Sequence, residues 1–265
     1  MKLYISADIE GTTGICSWLE TEKGNTEYDK MAVQMTREVN AVCEGANEAG
    51  VTQILIKDAH DLARNINFEL LPGNTQLIRG WTRDPFGMMA GLDRSFDAVA
   101  MTGYHTTAGT NGNPLAHIWD VQIESIKMNG SMLSEFQMNA YIAAYFQVPV
   151  VLVSGDRMLC DAAKELIPGI TTVAVSEGIG NASKSIHPLE ALSLLKVGIK
   201  TALSGNFRSC IPELPGHFSI EINYREHYRA YKSSFYPGAK QSGMKCVSFE
   251  AEDYMEVLRF FLFVL

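Results

Sequence analysis

Two carboxylates two residues apart, Asp8 and Glu10, close the strand-like run Leu3–Ala7. A β pleat returns to the same face every second residue, so both side chains point one way and could share a cation. Acidic residues after a strand also serve as helix caps or solvated turn residues. Two histidines stand in equivalent places. Lys57-Asp58-Ala59-His60 ends a second strand-like run, and Gly103-Tyr104-His105 ends a third. In open α/β sheets the carboxyl ends of the strands line the crevice where ligands bind. One histidine there is an ordinary packing residue, but three strand ends delivering Asp/Glu, His and His point to a metal. Imidazole and carboxylate suit Zn²⁺, and Asp58 is placed to orient a histidine as a neighbouring acceptor or to be a solvated loop carboxylate.

Two further residues could join this chemistry. Glu135 opens a predicted helix, where by itself it reads as a cap favoured by the helix dipole. His117 lies in the glycine-rich loop that follows His105, and loops on a rigid scaffold carry both catalytic groups and plain exposed histidines. His187, His217 and His227 have no ligand-type partner nearby in sequence and read as structural. The five cysteines are odd in number, scattered and free of any C-x-x-C pair, so they read as reduced, buried, structural thiols. Neither G-x-G-x-x-G, a P-loop nor a G-x-S-x-G elbow occurs.

The elements that must position these residues alternate along the chain. After the first strand, Met31, Met35, Val39, Val42, Ala46 and Ala49 recur on one helical face, Gly50 follows as a C-terminal cap, and Thr52–Ile56 is a strand. A turn-rich stretch with a short helical segment at 86–92 leads to the strand Phe96–Met101. Residues 121–127 and 131–133 flank an Asn129-Gly130 turn as a hairpin, and a helix follows from 134 to 146. Strands at 149–153 and 171–175 alternate with helices at 162–166 and 189–203. This order predicts an α/β fold, a mostly parallel sheet with helices on both faces. Composition changes after Asn206, where prolines precede a strand-helix-strand-helix set. The expected division is a metal-binding catalytic α/β domain, 1–206, and a smaller C-terminal α/β lobe, 207–265.

With 265 residues the chain can bury a large core, and its net charge of −8 argues against nucleic acid as a partner. The chain starts on a strand-like run without a signal-peptide core, which places it in the cytoplasm. The apolar tail 260–265 is far shorter than the roughly 20 residues that span a bilayer, so no membrane is expected and the tail packs, against its own chain or a partner subunit.

Ser6-Ala7-Asp8-Ile9-Glu10-Gly11, Lys57-Asp58-Ala59-His60, Gly103-Tyr104-His105 and Ser134-Glu135 together resemble the bacterial D-aminopeptidase family of dipeptide-transport operons. The likeness covers the first two thirds of the chain in order and spacing, and the last third only loosely. It implies a zinc-dependent peptidase with two Zn²⁺ per subunit, which removes D-amino acids from the amino terminus of short peptides. It also implies a large ring-shaped homo-oligomer, a decamer. By position, Asp8 is the carboxylate shared between the metals, with Glu10, His60, His105 and Glu135 completing the set. His117 matches the family's catalytic residue, described there as a nucleophile; because zinc already activates water, proton transfer or oxyanion stabilisation is the role expected on physical grounds. The loop Thr106–Pro114, rich in Thr, Gly and Asn, is a place where substrate choice could change with the metals intact. Two other readings stay open: another two-metal amidase or phosphoesterase, and a non-catalytic peptide-binding transport accessory.

Overall fold

The computed structural model describes all 265 residues. Its first half contains β1 (Lys2–Ala7), α1 (Tyr28–Glu48), β2 (Gln53–Asp58), β3 (Thr75–Ile78), β4 (Ala98–Tyr104), β5 (Ile123–Met128) and β6 (Ser131–Met132). Then come α2 (Glu135–Tyr145), β7 (Val150–Asp156), α3 (Arg157–Leu166), β8 (Thr171–Ile179), β9 (Ala182–Ser185) and α4 (Pro188–Ser204). The chain ends with β10 (Phe218–Tyr224), α5 (His227–Ser233), β11 (Lys240–Gln241), β12 (Cys246–Ala251) and α6 (Tyr254–Val264).

Seven strands form one sheet in the order β3-β2-β1-β4-β7-β8-β9, parallel throughout except for the β8–β9 hairpin. The central strands are apolar on both sides because both faces are covered. Leu3 and Ile5 join the cluster formed with α1 and α4, whereas Tyr4 points to the opposite cluster with α2, α3 and the C-terminal elements. Chain order reverses direction across the sheet between β1 and β4. A crevice therefore opens at their carboxyl ends, the place where open α/β sheets bind ligands.

A second sheet is antiparallel, in the order β11-β12-β10-β5-β6. The lobe expected at 207–265 thus draws two strands from the middle of the chain, the hairpin whose turn residues Asn129 and Gly130 have φ of 51° and 81°. Phe218, Ile220, Ile222 and Tyr224 alternate inward along β10, giving the half-buried strand its period of two. On that inward side α6 is tied to α2 by the Tyr254 hydroxyl, which donates to the Met138 carbonyl at 2.7 Å. Phe260, Phe261 and Val264 of the apolar tail are buried within the chain, while Leu262 and Phe263 stay exposed. Cys43, Cys160 and Cys210 are buried as expected; Cys16 is exposed and Cys246 half-buried, a correction to the uniform reading. No helix is long and apolar enough to cross a membrane.

Candidate metal centre and active-site pocket

Three parallel strands deliver the site. Asp8 and Glu10 follow β1, His60 follows β2 and His105 follows β4, with Asp8 N–H on the Thr102 carbonyl and Ala59 N–H on the Ala7 carbonyl, each at 2.8 Å. Gly103, at φ +67°, lets β1 and β4 close up here: a Cβ on it would lie 2.2 Å from the Asp8 carbonyl oxygen. Glu135 comes from the first position of α2. Ser134 caps that helix by accepting from Gln137 N–H, which leaves Glu135 free to turn into the crevice, where its Oε1 accepts from Trp119 N–H at 2.6 Å. Its carboxylate is therefore not the cap that its sequence position suggests.

Asp8, Glu10, His60, His105 and Glu135 are all buried. Asp8 stands between two imidazoles: its Oδ1 lies 3.4 Å from His60 Nδ1 and its Oδ2 3.8 Å from His105 Nε2. Glu10 Oε1 flanks His60 Nδ1 at 3.1 Å, and Glu135 Oε2 flanks His105 Nε2 at 3.6 Å. His117 stacks on His105, ring centroids 4.4 Å apart and planes 11° apart, and its Nε2 sits 4.0 Å from Glu10 and 3.8 Å from Glu135. His187 and His217 stand elsewhere, the first at the N-cap of α4 and the second between Glu250 and Glu252; His227 opens α5.

In each of the three clustered histidines one ring nitrogen faces a backbone carbonyl. His60 Nε2 lies 2.9 Å from the Thr21 oxygen, His105 Nδ1 2.8 Å from that of Thr106, and His117 Nδ1 2.9 Å from that of Leu115. A carbonyl can only accept, so these nitrogens carry protons, and in the neutral, metal-binding form of each ring the opposite nitrogen presents its lone pair to the carboxylates. Lone pairs facing lone pairs in a buried site repel unless a cation lies between them. His105 Nε2 and Glu10 Oε2 have no hydrogen-bond partner at all. Two donors bound to Zn²⁺ at about 2.0–2.2 Å in tetrahedral geometry stand about 3.3–3.6 Å apart, close to the separations seen here. The residues present fit the metal. Asp58 proves not to orient His60; it accepts from Asn65 N–H, Asn65 Nδ2 and Ile66 N–H, and thereby holds the loop that carries His60.

The electrostatics agree with a demand for positive charge. Burial, reinforced by the neighbouring Glu10 charge, raises Asp8 well above the usual carboxylate range. Burial also opposes the charge on Glu10, but His60, His117 and His105 outweigh it and hold Glu10 well below its usual value. For His105 burial acts downward, yet Glu135, Glu10 and Asp8 push it up to about 10.

Asp8, Glu10, His60, His117 and Glu135 line a cavity of about 590 Å³. All three tryptophans of the chain line it. Trp18 meets the His117 ring edge-on at 5.1 Å, and Trp81 and Trp119 stand 6.3 Å apart. Asn113, from the Thr106–Pro114 loop, donates to the Glu10 carbonyl at 3.1 Å and accepts from Leu115 N–H, which fixes the approach to His117. Neither these residues nor the Thr21 carbonyl could be found from sequence, because each acts through a contact with a distant segment and belongs to no motif.

Residues 1–263 match the model of the peptidase M55 family, D-aminopeptidase. The chain belongs to the D-aminopeptidase family. It is 33% identical over 260 residues to the D-aminopeptidase of Bacillus subtilis (strain 168), covering 97% of this chain and 93% of that one. Among solved structures it is similar to the Zn-dependent D-aminopeptidase DppA from Bacillus subtilis, described as a self-compartmentalizing protease. There the TM-score is 0.91 at 31% identity, over 99% of this chain and 96% of the other. The D-aminopeptidase likeness therefore runs through the C-terminal third, where the motifs read from sequence do not reach.

Proposed function

We propose that this protein is a zinc-dependent aminopeptidase that removes N-terminal D-amino acids from short peptides at a two-metal site. The observation that carries the reading is Asp8, whose two carboxylate oxygens face two different imidazoles, each at a ring nitrogen that a further glutamate also approaches. That arrangement supports one metal held by Asp8, Glu10 and His60 and a second held by Asp8, His105 and Glu135. Zinc supplies a Lewis acid there and brings the pKa of water close to neutrality.

The chain's own groups do the rest. His117 Nδ1 is occupied by the Leu115 carbonyl, so Nε2, directed toward Glu10 and Glu135, is the nitrogen that takes a proton during attack and returns it to the departing amine. His105 on one side and Trp18 on the other hold the imidazole in that attitude. The three indoles give the same cavity an apolar wall beside the carboxylates. The D preference rests on family membership and on the Bacillus subtilis relative. The description of DppA as self-compartmentalizing supports a large homo-oligomer, for which a ring and a cytoplasmic location are part of the proposal, and the exposed Tyr231, Phe235 and Phe263 give such an assembly apolar surface to bury.

Hydrolysis of D-alaninamide against L-alaninamide by the zinc-loaded protein tests the reading, with Asp8→Asn as control. Cleavage of the D form alone, abolished in the control, is expected. Equal cleavage of both forms, or cleavage undiminished in Asp8→Asn, overturns it.

A further inference from the structure

A peptide entering this pocket brings an ammonium at one end and a carboxylate at the other. Seven Asp and Glu side chains line the cavity, against a single Arg or Lys, Arg83. Asp8, Glu10 and Glu135 are the proposed metal ligands; an anionic carboxyl terminus reaching past them meets Glu22, Asp61, Asp84 and Asp120, which repel it. Arg83 is free to receive it: the side chain makes neither an ion pair nor a hydrogen bond within the chain, although Asp84 is its neighbour in sequence. By contrast Asp120, on the same wall, is already paired with Arg229 at 2.9 Å.

The segment bearing Arg83 is firmly mounted. Gly80 N–H donates to the Ala63 carbonyl at 2.7 Å, and Trp81 Nε1 donates to the Asp61 carbonyl at 2.6 Å. The buried Lys57 ammonium donates to the Gly80 and Asp58 carbonyls and lies 4.4 Å from the centre of the Trp81 ring. Arg83 itself has φ +63°, a left-handed conformation unusual for a non-glycine residue. Such backbone is retained where the surroundings enforce it, and it collects at ligand clamps; Asp61 and Trp119, on the same pocket wall, share it at 47° and 63°. A guanidinium is the side chain best matched to a carboxylate, which it can grip through two parallel N–H donors.

We propose that Arg83 binds the terminal carboxylate of the peptide and makes the site select short peptides with a free carboxyl end. This inference rests on the aminopeptidase reading above. Its role is in substrate specificity and not in the bond-breaking step.

The test uses D-alanylglycine and its neutral counterpart D-alanylglycinamide, which differ in little but the terminal charge. Zinc-loaded wild type, Arg83→Gln and Arg83→Lys are compared as the ratio of kcat/KM for acid over amide. The ratio is expected to fall about tenfold in Arg83→Gln, chiefly through KM, and to be partly restored in Arg83→Lys. In the wild type it should also shrink as salt shortens the screening length from about 30 Å at 0.01 M to about 8 Å at 0.15 M. A ratio unchanged in Arg83→Gln, with both substrates cleaved, overturns the inference and leaves the aminopeptidase reading standing. Failure of wild type to cleave either substrate overturns both.

Discussion

Gly103→Ala is a demanding perturbation because it tests whether the closeness of two strand ends builds the site. The new methyl would lie 2.2 Å from the Asp8 carbonyl oxygen and 2.9 Å from Thr12 Oγ1, on a residue held at φ +67°. Relief requires β1 and β4 to separate by about 1 Å at their carboxyl ends, since real Cβ contacts lie beyond about 3 Å. Left-handed backbone costs an alanine about 1–2 kcal/mol and overpacking about 1–3 kcal/mol more. The sum, about 2–5 kcal/mol, lowers Tm by roughly 5–15 °C in a chain of this size. A shift of about 1 Å between Asp8 and His105 lowers kcat by roughly a hundredfold. Gly50→Ala separates the two causes: Gly50 sits at φ +87° with nothing within 4 Å of a new Cβ, so it carries the backbone cost alone. Thermal unfolding and D-alaninamide turnover on both zinc-loaded variants make the comparison. If Gly103→Ala loses no more stability than Gly50→Ala and keeps full turnover, the close approach of β1 and β4 does not position the ligands.

Other perturbations report on separate parts of the site. Asp58→Ala leaves three buried donors of Asn65 and Ile66 unpaired, so chemical denaturation should show a loss of about 3–5 kcal/mol, with Asp58→Asn retaining part of the difference. Trp18→Leu removes the ring edge that braces His117, and kcat is expected to fall about tenfold with little change in bound zinc, as measured by steady-state kinetics and elemental analysis. Burial lowers Lys57 to about 8 against its usual 10.5. A lysine depressed in the folded state binds fewer protons there than in the unfolded chain between those values, so stability rises with pH across that window. The unfolding free energy of wild type relative to Lys57→Met, from urea titrations, should climb between about pH 8 and pH 10.5 by at most about 3 kcal/mol; a flat difference would show that the ammonium is not destabilised by its burial.

What could be read from sequence was what is local or periodic. The apolar face of α1 and the buried run of β1 announce themselves, and placing Asp8, His60 and His105 at strand ends needed only the rule that such ends converge. β3 is hidden in a turn-rich stretch because Thr75-Gln76-Leu77-Ile78 is a short, half-buried edge strand with no clean alternation. The antiparallel sheet depends on β5 pairing with β10 nearly a hundred residues away, Ile126 beside Ile222, and no local pattern records such a partner. Glu135 looked like a cap because position alone could not reveal that Ser134 does the capping. The His60 acceptor is the backbone carbonyl of Thr21 and not the nearby Asp58 carboxylate, and a backbone carbonyl is identical in every residue.

The most direct test of the two-metal centre is the zinc content per chain, measured by inductively coupled plasma mass spectrometry after exhaustive dialysis of wild type and Asp8→Asn. Because Asp8 places one oxygen toward His60 and the other toward His105, the account expects two zinc ions per wild-type chain and a loss at both positions when one of those oxygens becomes an amide nitrogen. One zinc per wild-type chain, or two retained undiminished in Asp8→Asn, would contradict it.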